Sequence, residues 1–174
     1  IHAYKDEVVP WIKKLTDTIH DHDCKIMIQL THLGRRTSWS KGDWLPSLSS
    51  GKHREPAHKA FPKVMESWDI KRIIKEYGDA AERMKEGGMD GVELEGQGHL
   101  IGQFLSPLTN ELSTEYGGNL ENRLRFTIDV LTDIRKKVGH DFIVGIRCVF
   151  DEVEEGGITK SEGLKIAKIL SDSG

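Results

Sequence analysis

Cysteine is nearly absent. Of 174 residues only Cys24 and Cys148 are cysteines, far apart and without metal-type spacing. That excludes a disulfide framework and a cysteine-based zinc cluster, and it suits a reducing compartment such as the cytoplasm. Positive charge is not in excess either: 25 Lys and Arg stand against 28 Asp and Glu, a formal net charge of −3. A nucleic-acid binder that works through a basic field is therefore not expected. No apolar run approaches the roughly 18 residues that a membrane helix needs, so no membrane partner is expected. No charged-then-apolar leader is seen. The glycine pairs at 87–88, 117–118 and 156–157 form no GxGxxG, and GxxxxGK[ST] is missing. Rossmann and P-loop readings thus lack the turn that cradles phosphate.

What is there is globular. Hydrophobic residues make up 37% and charged residues 30%, and the length allows one domain. The chain starts at Ile1 and stops just after a helical pattern, so a piece of a longer chain is expected.

Asp6 is placed to cap a helix that turns Val8, Trp11, Ile12, Leu15 and Ile19 inward, with Pro10 tolerated in its first turn. KIMIQLT at 25–31 reads as a short strand. Residues 33–67 hold no sustained period, with Trp39 and Trp44 among polar neighbours; so long a loop is usually functional or disordered. Asp69 is placed to cap a second helix carrying Ile70, Ile73, Ile74, Tyr77, Ala81 and Met84, stopped by Gly87 and Gly88. GVELE at 91–95 is a second strand, followed by a loop to about Asn119. A helix over 121–138, a strand FIVGIRC at 142–148, and a helix opening on the Thr159/Glu162 capping-box spacing complete the chain. The alternation predicts a parallel sheet with helices on its faces, either an open doubly wound sheet or part of a (β/α)8 barrel.

Alternation along each strand leaves one apolar face for the helices. The opposite faces end in Gln29, Glu95 and Arg147 near the strands' C-termini, expected at matching heights. In barrels that end builds the active site. A structural network among these groups is the bland alternative. Glu93 and Glu95, about 7 Å apart by strand rise, fit a glycosidase pair poorly because both sit on one strand. His20 and His22 lie at a helix end and are expected to be solvated. His53 and His58 sit in the long loop with no strand-anchored carboxylate to complete a metal site. His32 and His99 each follow a strand end, where the site should lie.

The stretch DGVELEGQGHLIGQFLSPLTNELSTEYGGNLENRLRF at 90–126 resembles the signature of the old yellow enzyme family of FMN-dependent NADH:flavin oxidoreductases. IQLTHLGRR at 28–36 resembles that family's third barrel strand, and IVGIRCVFDE at 143–152 its fifth. The resemblance implies a partial (β/α)8 TIM barrel, roughly strands 3 to 5 with their helices, so that residues 1–174 are the central segment of one incomplete FMN-binding domain. It implies that Gln29 meets the flavin pyrimidine and that Arg147 lies beside N1 and the C2 carbonyl, where a fixed guanidinium stabilises negative charge.

One departure matters. The family usually reads HGAHGYL after strand 4, whereas this chain reads EGQGHL. Glu95 stands where the first His binds an enone or phenolate oxygen, and His99 falls near the usual Tyr proton donor. A carboxylate is a poor partner for an oxygen gaining negative charge and a good one for a cationic amine. The form is similar to the branch that oxidises N-methylated amines, as N-methylproline, trimethylamine and dimethylamine dehydrogenases or demethylases do. Glu95 and His99 are thus the expected catalytic pair, with Thr31, His32 and Gln97 expected on the substrate. The alternatives are an ene reductase taking hydride from NAD(P)H, similar to 2,4-dienoyl-CoA reductase, and a non-catalytic fragment. A small-molecule substrate and a homo-oligomer are expected. A 4Fe–4S cluster is expected only if a downstream region carries its ligands.

Overall fold

The computed structural model describes residues 1–36, 46–57, 59 and 61–173. Trp39, Trp44 and His58 lie outside the described residues. Three parallel strands, β1 (Met27–Leu30), β4 (Gly91–Gly96) and β5 (Ile143–Cys148), form one sheet with β4 in the middle. A two-residue parallel ladder, β2 (Leu48–Ser49) with β3 (Lys63–Val64), lies in the connection after β1. The helices are α1 (Val9–His20), α2 (Ser67–Glu86), α3 (Leu100–Leu105), α4 (Leu120–Val138) and α5 (Lys160–Asp172). None of the described helices is long and apolar enough to cross a membrane.

The core lies on one side of the sheet. Val92 and Leu94 of β4 are fully buried there with Leu30, Ile73, Met84, Phe126 and Ile134. Phe104 of α3 stacks on Phe126 of α4 with ring centroids 4.1 Å apart, worth about 1 kcal/mol beyond burial. The other side of the sheet is open, and the register sorts its side chains into rows. Met27, Gly91 and Ile143 form an apolar row at the N-terminal end; Met27 Cε lies 3.0 Å from where a Cβ on Gly91 would sit. Gln29, Glu93 and Gly145 form the next row, and Glu95 and Arg147 the row above it. The face therefore grows polar toward the strands' C-terminal ends.

The expectations for three segments change: α1, α2 and the stretch after β4. Asp6 does not cap α1: it lies in a 3-10 turn at Asp6–Val8 and ion-pairs with Arg83. The buried stripe runs from Val8 of that turn to Ile12 and Thr16 of α1, while Trp11 (73% exposed) and Leu15 face outward. Thr16 is held in because its hydroxyl donates to the Gly87 carbonyl at 2.7 Å, which ties α1 to the end of α2. At α2 the cap is Glu66, one turn before Asp69; Asp69 closes the box from N3 by accepting the Glu66 N–H at 2.9 Å. The Asn119 and Thr159 side chains cap α4 and α5 from outside.

The segment after β4 is the third change. It is not all loop, for α3 sits inside it. Leu100, Ile101, Gln103, Phe104 and Leu105 are all buried, so this short helix has no polar face and no amphipathic period to announce it.

Candidate active site

The site is built at the C-terminal ends of β1 and β4. The register corrects the expected heights: Gln29 is level with Glu93, and Glu95 is level with Arg147. Gln29 Nε2 donates to Glu93 Oε1 at 2.7 Å. One amide N–H is thereby spent, leaving the carbonyl oxygen and the second N–H. Glu95 is 9% exposed, and its Oε1 accepts the Gln97 backbone N–H at 2.6 Å. The second oxygen has no hydrogen-bond donor among the described residues, so a buried carboxylate stands at the strand end with one oxygen unused.

His99 links the two loops. Its Nδ1 lies 3.1 Å from Thr31 Oγ1 and its Nε2 lies 3.3 Å from Arg36 Nη1. Arginine only donates, so Nε2 carries the lone pair and Nδ1–H donates to Thr31. Burial holds His99 below the ordinary histidine range, Arg36 adds to this, and the Glu95 charge opposes it. Near neutral pH His99 is a neutral imidazole. The same Glu95 charge and, above all, burial push the Cys148 thiol up to about 12, so this cysteine is not a nucleophile.

The other candidates separate. The side chain of Gln97 is exposed, and only its backbone reaches Glu95. His32 turns toward the helix side of the sheet: Nδ1 accepts the Gly34 N–H at 3.1 Å, and burial with the nearby Arg72 lowers its pKa to about 4. The ring is neutral and bound into the turn. His20 is not simply solvated, since it meets Asp90 at 2.9 Å. His53 meets Glu111 at 3.4 Å. Among the described residues no group of three or more His, Cys, Asp or Glu is placed to hold a metal.

Two residues that sequence reasoning passed over shape the site. Arg36 is the partner of His99, and only the doubled arginine after Gly34 hints at it. Gln103, 1% exposed, accepts the Arg35 N–H and the Ser49 hydroxyl on Oε1, both at 2.9 Å, and donates from Nε2 to the Gly98 carbonyl at 3.0 Å. One amide thus fastens the turn that carries Arg36 to the turn that carries His99. Gly34, at φ +65°, is required there, because a Cβ would lie 2.2 Å from Gln103 Oε1.

The open face also fits a flat heterocycle. Arg147 is exposed, and its guanidinium has no hydrogen bond or ion pair among the described residues. Among the described residues nothing lies within 4 Å of where a Cβ on Gly145 would be, so a ring can approach the sheet between Gln29 and Arg147. An amide edge and a fork of N–H donors suit a pyrimidine-like edge that takes negative charge.

The comparisons with known proteins agree with this architecture. A family model described as "NADH:flavin oxidoreductase / NADH oxidase" matches residues 1–174. The "Probable N-methylproline demethylase" of Rhizobium meliloti is 63% identical over 99% of this chain and 25% of its own length. The "Multifunctional alkene reductase/demethylase OYE" of Caballeronia cordobensis is 42% identical over 100% of the chain and 25% of its own length. The chain thus spans about a quarter of the length of these two relatives. The solved old yellow enzyme homologue from Zymomonas mobilis superposes with a TM-score of 0.85 at 26% identity, over 95% of this chain and 50% of that one. The three parallel strands and their helices are part of a (β/α)8 barrel.

Proposed function

This chain belongs to the NADH:flavin oxidoreductase / NADH oxidase family, and from that membership we propose that it is the central part of an FMN-binding barrel domain whose full-length enzyme oxidises a small N-methylated amine. The observation that carries the reading is Glu95, a buried carboxylate at the mouth of the open face with one oxygen held by Gln97. A fixed anion there attracts an ammonium and repels an enolate-like oxygen. The relative at 63% identity is named for demethylation of N-methylproline, and that chemistry suits the same group.

Gln29 and Arg147 would hold the flavin ring, Arg147 opposite its anionic edge. FMN, when bound, supplies the two-electron acceptor for the hydride lost from the N-methyl carbon, and the iminium left on the substrate is hydrolysed by water to formaldehyde and the demethylated amine. Glu95 draws the amine to the mouth and orients it. His99, neutral near pH 7, is a proton acceptor on the same rim; Arg36, which only donates, sets its tautomer, and Thr31 takes the Nδ1–H. The two unpaired cysteines suit a cytoplasmic enzyme.

A second reading is supported by the pairing of "alkene reductase" with "demethylase" in the name of the 42% relative and by a 33% identical relative named "Cinnamate reductase". In it NAD(P)H provides hydride and His99 protonates the reduced alkene. The test is to purify the full-length protein with its FMN and assay an N-methylated amine against a neutral enone. Formaldehyde release with the amine supports the first reading. Enone reduction without any amine oxidation replaces it with the second.

A further inference from the structure

His99 depends on two turns. Its Nδ1 meets Thr31 Oγ1 at 3.1 Å and its Nε2 meets Arg36 Nη1 at 3.3 Å. Thr31 and Arg36 bracket the turn after β1, and His99 closes the turn after β4. The ring keeps both contacts only while the two turns hold one spacing. The Leu100 N–H ties them once, on the His32 carbonyl at 3.0 Å, and a single bond leaves a hinge. The side chain of Gln103 supplies the second attachment. Its Oε1 accepts the Arg35 N–H at 2.9 Å, and its Nε2 donates to the Gly98 carbonyl at 3.0 Å. Arg35 precedes Arg36, and Gly98 precedes His99. One amide thus grips the backbone beside each end of the Arg36–His99 contact.

That amide cannot turn over. Oε1 also receives the Ser49 hydroxyl at 2.9 Å, so a flip would set N–H groups against two donors and an oxygen against the Gly98 carbonyl. Buried polar groups left unpaired in this way are costly. The Ser50 and Thr109 hydroxyls hold the Gln103 backbone carbonyl at 2.6 and 2.9 Å.

We propose that Gln103 is a positioning residue for His99, the clasp that keeps the imidazole between Thr31 and Arg36 with its proton on Nδ1 and its lone pair on Nε2. With 1% of its surface exposed, Gln103 acts through the ring and not on the substrate. The use of the ring as acceptor of the amine proton is the amine reading above, and the inference rests on it for its chemical purpose.

The test uses the full-length holoenzyme with nitrogen-labelled histidine, whose ring shifts report tautomer and titration midpoint; His99→Asn assigns the signal. Gln103→Met keeps the length, adds no charge and releases both turns. Gly34→Ala reaches the same amide from the turn side, because its Cβ would lie 2.2 Å from Oε1. Ser49→Ala removes one partner of the amide and neither turn. Wild type should show one form, Nδ1–H, with a midpoint below the ordinary 6.5. In Gln103→Met and Gly34→Ala the two nitrogens should share the proton, and the midpoint should rise toward 6.5 as the ring gains water and loses Arg36. In both, kcat for an N-methylated amine at pH 7 should fall about tenfold with KM changed less than about twofold, and the acid limb of kcat should move up with the midpoint. Ser49→Ala should match wild type. A wild-type tautomer and midpoint in Gln103→Met and Gly34→Ala, or the same shift in Ser49→Ala, overturns the clasp and leaves the amine reading standing. A ring that shifts in the two variants while amine oxidation is unchanged upholds the clasp and removes His99 from the amine chemistry.

Discussion

Gln29 stands beside Glu93 and not beside Glu95: the two are register partners on β1 and β4, and the Gln29 amide donates to Glu93 at 2.7 Å. The carboxylates of β4 therefore differ in duty. Glu93 is spent within the sheet, where it orients Gln29. Glu95, one row higher and level with Arg147, is left for the mouth. A glycosidase-like pair is not what these residues form.

Arg147 is the exposed cation of this face, and its removal should be read in the flavin. In the full-length enzyme Arg147→Met should lower the two-electron reduction potential by tens of millivolts, about 30 mV for each 1.4 kcal/mol of lost anion stabilisation. Redox titration against a reference dye measures it. An unchanged potential would make Arg147 a strand residue with no part in the ring's electronics.

Acid should destabilise the fold through His32. Its folded pKa of about 4 lies below the ordinary 6.5, so between these values the unfolded chain binds a proton that the folded chain refuses. Stability from this group is complete above pH 6.5 and falls as pH drops toward 4, by about 3 kcal/mol at the limit. Thermal midpoints at pH 7 and pH 5 should differ less for His32→Asn than for wild type, since Asn Oδ1 can still accept the Gly34 N–H. Equal pH sensitivity in the two proteins would remove His32 from the account.

Arg123 shows what much of the signature stretch is for. It is 5% exposed, and its guanidinium donates to the Leu105 and Gly118 carbonyls and to Glu162. It thus joins the end of α3, the turn before α4 and the start of α5. Arg123→Met leaves two carbonyls unpaired and strands a carboxylate that is partly exposed, so it should cost about 2–4 kcal/mol. Arg123→Lys should recover little, because one ammonium cannot reach three partners set for a fork. Denaturant melts of both variants decide this; a loss below about 0.5 kcal/mol would place Arg123 among ordinary surface pairs.

The sheet was legible because its strands are short apolar runs between strongly periodic helices, and the three strands of the barrel segment fall where the sequence places them. The open-face residues followed from alternation alone. What alternation could not supply was register, since pairing belongs to two strands at once; hence Gln29 was expected level with Glu95. Capping at α2 was misread because Asp69 and Glu66 both take part in one box, and a sequence shows the residues without the direction. The helix α3 and the Gln103 hub were hidden for a common reason. Both are buried on every side, so no polar stripe or charge marks them, and the Gln103 partners Leu33, Arg35 and Ser49 lie more than fifty positions away.

The amine reading proposed above turns on Glu95, and Glu95→Gln is a clean test of its charge. The variant keeps shape and an amide oxygen that can accept the Gln97 N–H, so the turn after β4 is preserved while the anion is lost. A buried charge pair with substrate is partly offset by desolvation. KM for an N-methylated amine should still rise by about tenfold, near 1.4 kcal/mol of lost binding. Because the attraction acts before hydride is lost, kcat should change less than KM. Enone reduction, unfavourable beside an anion, should be low in wild type and should not fall in the variant. Steady-state kinetics of both proteins on both substrate classes gives the answer. A wild type that reduces enones well and loses that activity in Glu95→Gln would show the carboxyl group working as a proton-bearing partner of the alkene's activating oxygen, and the amine reading would fall.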